Sequence, residues 1–539
     1  MSTTMRQGKN SRATGTAPMA IRSKAFAAAL AAGVSIFAFP AGATIITSGS
    51  NSGTGTILTN GNTGSQLFIG ISAAGSLEVN ASSAGNGLTT LNANSTNSTS
   101  LIDGFFTNGA GTILVDGNGT AGSATLNSLK AIGIGVSTGT AGTGGTGNLT
   151  VQNGGLAKVL TNGFEITVGN SFSTGHVTVD GANSVLSSAA RINVGSFADS
   201  TGTLTITDGA LVQSNYAPGG FTDGAIVVGA ASNASGTVTV DNATLATNGI
   251  IIGDNEAGSS GSLTVQNGGT ANAMILADGT GAGLSIGAAA GAQVTVTGAG
   301  STLGVAAITS GILAGKEINI GGFAAGTLLV DQSANVNAAG TDVHVSGGAF
   351  GTQTSAAGLL TVKNGATLTA DAVTIYQNGT LNGNGTIAAD VILNGGTIAP
   401  GNSPGTMNVI GDLDLLSGNV SLEIGNGISD HFDVSGNVTI GKDVIFTLIF
   451  ETTPAFDQIF DLASFFTSAS LGFDPAFDLI SQLSVTGLPG GSSIFVTADG
   501  QRVGFANAVG VPEPASILIL LAGMGGLTAM RRRRRKKEA

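Results

Sequence analysis

Three histidines, His176, His344 and His431, are the only imidazoles in the 539 residues, and there is no Cys. Thiolate nucleophiles, disulfides, zinc ribbons and iron–sulfur clusters are therefore excluded. A Ser nucleophile would need a base held by an orienting acid. His176 lies in Gly-His-Val-Thr-Val and His344 in Asp-Val-His-Val. Both occupy slots that other copies of a repeat fill with Thr, Ser, Asn or Val, so both read as solvent-facing fillers. Asp430-His431-Phe432-Asp433 is the densest polar cluster. It has metal-ligand types, but its setting is that of a loop before a strand.

Cleaving a polysaccharide would take a pair of carboxylates and basic side chains that hold substrate. Asp412 and Asp414 share one strand face, but no Trp platform accompanies them and basic residues are sparse. Calcium-binding nonapeptides of the GGxGxD type are absent. Strings such as Gly142-Thr-Gly-Gly145 lack a following helix, so they carry no phosphate-loop meaning. No catalytic, metal-ligating or cofactor-binding residue is assigned. One surface pattern remains, ranks of outward Thr such as Thr203/Thr205/Thr207 and Thr237/Thr239.

The elements around these residues are set by composition. Gly numbers 88 and Pro 10, charged residues are 9% and apolar residues 42%. That is enough apolar content for a core and too little charge for a charge-driven disordered chain. Of 19 basic residues, five fall in 1–43 and seven in Arg531–Lys537, so 44–530 holds seven basic against 30 acidic side chains. A body of net charge −23 repels polyanions, and no nucleic-acid partner is expected.

Both ends read as addresses. Arg22 and Lys24 precede the apolar run Ala25–Phe39, and Pro40-Ala41-Gly42-Ala43 has small residues at Ala41 and Ala43 where signal peptidase cuts. Residues 1–43 are thus a signal peptide, starting at Met1 or Met19. At the other end, Val511-Pro512-Glu513-Pro514 leads into a 16-residue apolar stretch, 515–530, at the short limit for a transmembrane helix. Arg531, Arg532, Arg533, Arg534 and Arg535 then act as a stop-transfer run, since moving them across hydrocarbon is costly.

Between the addresses one phrase recurs, as Gly147-Asn-Leu-Thr-Val151, Gly175-His-Val-Thr-Val179, Gly202-Thr-Leu-Thr-Ile206, Gly236-Thr-Val-Thr-Val240 and Gly261-Ser-Leu-Thr-Val265. Ala292-Gln-Val-Thr-Val296 is a degenerate copy, followed by Gly326-Thr-Leu-Leu-Val330 and Gly358-Leu-Leu-Thr-Val362. A second phrase, apolar-x-apolar-Gly, alternates with it, as in Ile166-Thr-Val-Gly169, Ile192-Asn-Val-Gly195 and Ile318-Asn-Ile-Gly321. Both alternate with period two, which is strand periodicity, and Gly and Asn supply φ > 0 corners. Short strands hide little apolar surface alone; stacked coils share one core. Only Pro218 interrupts Ala41–Ala399, as a fully paired ladder requires.

The predicted fold is all-β: a parallel β-helix (β-solenoid) over 44–410, clearest over 130–375, with strands of three to five residues. Before residue 130 the copies are poor and predict a cap. A Phe-rich β module is expected over 411–508, since 11 Phe lie in 432–505 against nine in 44–410. Phe456, Ile459, Phe460, Ala463 and Phe466 have the spacing of one short helix. Residues 509–539 form the terminal signal.

That terminal signal resembles the PEP-CTERM sorting domain of Gram-negative bacteria, through Val511, Pro512, Glu513, Pro514, Ala515, the Gly-containing span and the Arg cluster. The resemblance implies exosortase recognition at the inner membrane, cleavage near Pro-Glu-Pro, and delivery to the cell surface or matrix. The two-phrase unit resembles the repeat shared by type V autotransporter passengers and PEP-CTERM proteins, and 379–410 resembles the closing turns of such passengers. No dozen ten-residue alternating strands follow 410, so no autotransporter barrel is expected.

The expected function is an exported, non-enzymatic rod, structural, adhesive or exopolysaccharide-associated. The alternative is a polysaccharide-acting β-helix enzyme, a lyase or glycosidase. An ice-binding protein would require one flat face with Thr in register over many coils.

Overall fold

The computed structural model describes residues 44–506 apart from 50–61, 81–88, 138–143, 215–224, 274–282, 306–316, 452–458 and shorter stretches. The signal peptide with Ala41 and Ala43, the sorting residues Val511–Pro514, the 515–530 span and the Arg run lie outside the described residues. No described helix is long and apolar enough to cross a membrane.

Forty-one strands join one sheet that winds into a three-sided parallel β-helix. Each turn contributes one strand to each face. The first face holds the Gly-x-Leu-Thr-Val phrase, for example Thr146–Gln152, Thr174–Asp180, Thr201–Thr207, Ser235–Asp241 and Ser260–Gln266. They pair in parallel with identical repeat positions opposed, as in Gly175↔Gly202 and Val179↔Ile206. The second face holds four-residue strands such as Leu211–Ser214 and Thr244–Thr247. The third holds the apolar-x-apolar phrase, such as Ile166–Val168 and Ile192–Val194. First-face strands run to seven residues, longer than the three to five expected, because the polar residues flanking each phrase also join the ladder.

The period-two pattern decides what is buried. Leu204 and Ile206 are 1% and 0% exposed while Thr203 and Thr205 face outward. Corner residues between strands take φ > 0, as Asn153 (53°) with Gly154 (82°) and Asn267 (54°) with Gly268 (84°). Gly tolerates that region freely and Asn more readily than most residues.

The glycines of the two phrases share one physical cause. Gly195 ends a third-face strand, turns with φ 54°, and donates its N–H to Val168 O at 2.7 Å. A Cβ on Gly202 would lie 2.2 Å from that nitrogen and 2.3 Å from that oxygen, inside the hydrogen bond. The same clash meets Gly175 at the Gly169–Ile134 bond and Gly326 at the Gly321–Ile286 bond. At Ala292, the degenerate copy, the corresponding bond from Gly287 to Ile252 is 3.0 Å long.

At the N-terminal end, Thr44–Gly49 pairs antiparallel with Ala74–Asn80, covering the edge that the first parallel rung would expose. At the other end the parallel ladder runs through the boundary expected at 410. Thr386–Pro400 pairs with Leu413–Ile424, which pairs with Asn437–Phe450, which pairs with Ser470–Phe473 and Leu483–Thr486. These longer strands pass around corners through register shifts. A small antiparallel sheet of Ile459–Asp461, Ser493–Val496 and Arg502–Ala506 follows. The Phe residues belong partly to the solenoid: Phe432 and Phe466 pair on adjacent rungs with rings stacked at 5.3 Å.

The short helix expected over the Phe456–Phe466 spacing is corrected. Among the described residues there is one 3₁₀ turn, Leu462–Phe465, capped by the Asp461 carboxylate on Ala463 N–H. Phe466 is drawn into the parallel ladder beside Phe432, and that pairing outweighs the local 3.6-residue spacing.

Candidate functional site, a hydroxyl face and an imidazole cluster

The outward side of the first face is a lattice of small polar side chains. Parallel pairing puts Thr150, Thr178, Thr205, Thr239, Thr264 and Thr295 in one unbroken column over six consecutive rungs. Rungs repeat at about 4.8 Å, and outward positions along a strand at about 6.7 Å. Among the described residues, none of these six hydroxyls has a hydrogen-bond partner in the protein. The column ends at Leu114 on one side and Leu329 on the other.

The column beside it is mixed: Asn148, His176, Thr203, Thr237, Ser262 and Gln293. Five of these bond to one another or to backbone: Asn148 Nδ2 donates to Gly111 O at 3.1 Å, His176 Nδ1 lies 2.6 Å from Thr203 Oγ1, and Ser262 Oγ donates to Thr237 Oγ1 at 3.3 Å. Across these two columns, Thr stands beside Thr on two rungs, Thr203/Thr205 and Thr237/Thr239. Over these six rungs acids appear only at the strand ends, where Asp180 accepts from Thr207 at 2.6 Å and Asp241 accepts from Gln266 at 2.8 Å. Along that corner, acid rungs alternate with neutral ones from Asp116 to Asp241. The alternation keeps like charges from facing each other at rung distance.

The Asp430–Asp433 cluster does not converge. Asp430 is buried and accepts the N–H groups of Gly405 and Glu423, both at 2.8 Å. Burial first, then the Glu423 and Glu451 charges, push its carboxyl up to about 6, against the pull of the two N–H donors. His431 turns the other way, its Nε2 2.8 Å from Thr467 Oγ1. Asp412 braces a corner, accepting from Asn437 N–H at 2.7 Å, while Asp414 sits on the third face.

His176 is partly exposed, as expected of a filler. His344 is not: it is 6% exposed, and its Nδ1 lies 3.2 Å from Oε2 of Glu317, itself 6% exposed. The expectation of a solvent-facing filler is corrected. The slot is outward, but Tyr376 from the next rung packs edge-on over the ring at 5.7 Å. Asn319 and Thr374 flank His344 in register. Burial, then the Glu317 and Asp342 charges, raise the Tyr376 phenol above its ordinary value. Sequence reasoning missed Glu317 and Tyr376, which lie 27 and 32 residues from His344. The repeat register alone could have aligned Asn319, His344 and Thr374.

Against known proteins, residues 510–535 match the PEP-CTERM protein-sorting motif, and the chain therefore carries that signal. The motif implies export and processing by exosortase-type machinery. A comparison with the curated proteins gives no match. Among solved structures the chain is similar to the crystal structure of a TibC-catalyzed hyper-glycosylated TibA55-350 fragment, at 13% identity and TM-score 0.19. That likeness covers 78% of this chain and 99% of the other. The fold described above rests on the strand pairing itself.

Proposed function

We propose that this chain is an exported, non-enzymatic surface rod that presents its hydroxyl face to neutral exopolysaccharide of the cell's own matrix. Signal peptidase removes 1–43, the apolar stretch 515–530 and Arg531–Arg535 hold an inner-membrane intermediate, and exosortase releases the rod at Val511–Pro514. The single observation behind the contact surface is the column of six unbonded Thr hydroxyls. A donor and an acceptor on every rung suit a partner that is itself a row of hydroxyls. The charge of the body supports a neutral partner, because a polyanionic glycan would be repelled. A non-enzymatic role is supported by the separation of His176, His344 and His431 onto different rungs and faces.

Two measurements test the reading. Mass spectrometry of the mature C-terminus, in cells with and without the exosortase, is expected to find surface protein ending before the Arg run only when the exosortase is present. An intact Arg tail on surface protein removes the sorting claim. The triple variant Thr178→Val/Thr205→Val/Thr239→Val, which removes three stacked hydroxyls and adds no charge, is expected to fold, since valine is a good strand residue, yet be released from matrix to medium several-fold more than the wild type. Equal retention sinks the hydroxyl-face contact, and release of sugar fragments by the purified chain would make it an enzyme instead.

A further inference from the structure

The Glu317–His344 contact is close but is not a well-aligned hydrogen bond. The imidazole Nδ1 and the carboxylate oxygen are 3.2 Å apart, yet Nδ1 is buried and without an aligned hydrogen bond. One rung away on the same outward face, the buried Oδ1 of Asn319 also has no hydrogen-bond partner. Orphaned buried acceptors are rare in folded proteins because each forfeits its hydration. A misaligned imidazole nitrogen and an orphaned amide oxygen, neighbours in register and beside a buried carboxylate, are an arrangement that a cation satisfies.

We propose that His344 Nδ1, the Glu317 carboxylate and the Asn319 amide oxygen bind a divalent transition-metal ion of the zinc class. Two ligands about 2.0–2.2 Å from a tetrahedral zinc stand about 3.3–3.6 Å from each other, and the 3.2 Å separation seen here lies just below that range. An imidazole lone pair with a carboxylate is a donor set that suits zinc, copper or nickel over calcium or magnesium. His344 then carries its proton on Nε2, leaving Nδ1 as the ligand atom. No group of three His, Asp or Glu side chains converges among the described residues, so water completes the coordination and the affinity is modest, in the micromolar range. The site lies on the third face, away from the hydroxyl column, and stands whether or not that column binds glycan.

Titrating the chelator-stripped full chain with Zn²⁺ alone, by calorimetry at neutral pH, is expected to give one saturable equivalent. His344→Ala abolishes it, Glu317→Gln weakens it about 10- to 100-fold, and His176→Ala and His431→Ala leave it unchanged. Co²⁺ in place of Zn²⁺ gives the visible absorption of a tetrahedral site in the wild type and not in His344→Ala. His344→Gln, which keeps a polar side chain in the slot, covers the case in which the alanine variant fails to fold and is expected to lose the same equivalent. No saturable uptake by the wild type, or uptake that survives both His344 variants, overturns the proposal.

Discussion

Gly202→Val is expected to break the rod at one rung, lowering stability by about 3 kcal/mol or more. The added Cβ falls between Gly195 N and Val168 O, which are hydrogen-bonded at 2.7 Å. Every atom it meets is backbone, so no side-chain rotation relieves the clash. The third-face corner must open, which unpairs Ile192–Val194 from its neighbours on both sides. Because each coil touches only the next, the damage is local and the rod becomes two blocks. Limited proteolysis is expected to cut near this rung and leave a resistant fragment on each side. Ala292→Gly is the matched control: it removes a Cβ the fold already accommodates and costs less than about 1 kcal/mol. An unchanged denaturation midpoint for Gly202→Val would show that the corner bond does not demand glycine.

Asp103→Asn is expected to stabilise the chain at neutral and alkaline pH and to have no such effect in acid. Third-face pairing puts Asp103 in a core column between Ile69 and Ile134, where it is 0% exposed. One oxygen accepts the Asn148 N–H at 2.8 Å and the other has no partner. Burial raises its carboxyl well above the ordinary 3.8, although the Asn148 N–H pulls the other way. The folded chain therefore holds this proton at pH values where the unfolded chain has lost it. The resulting stabilisation is complete below 3.8 and is lost as pH rises through the folded value. Asparagine keeps an acceptor for Asn148 and cannot ionise, so the alkaline gain should be on the order of 1–3 kcal/mol. Glu165 and Asp430 are raised in the same direction, chiefly by burial. Wild-type melting temperature is thus expected to climb on mild acidification, and the slope should flatten in Asp103→Asn. Parallel pH profiles for the two proteins would refute the assignment.

Most of the coil was legible in the sequence because its causes are local and repeat. Alternation of Leu204 and Ile206 with Thr203 and Thr205 states which side is buried. Gly175, Gly202 and Gly236 mark a position where one hydrogen bond recurs every turn. The end of the ladder was less legible: the Phe spacing near 460 fits a helix as well as a strand until the neighbouring rung is known. His344 follows the same rule, since a repeat slot that is outward in one coil is covered in another by Tyr376, a residue from the next turn.

Sequence by itself determined the sorting signal, the all-β solenoid and its register, because each follows from residue types at a fixed period. Only the tertiary structure decided which hydroxyls remain unbonded, that Asp103 takes an isoleucine's place in the core, and that Glu317 meets a buried His344. Those facts depend on contacts between turns some 25 to 45 residues apart, and contact between turns is set by how the coil closes, which no stretch of chain encodes alone.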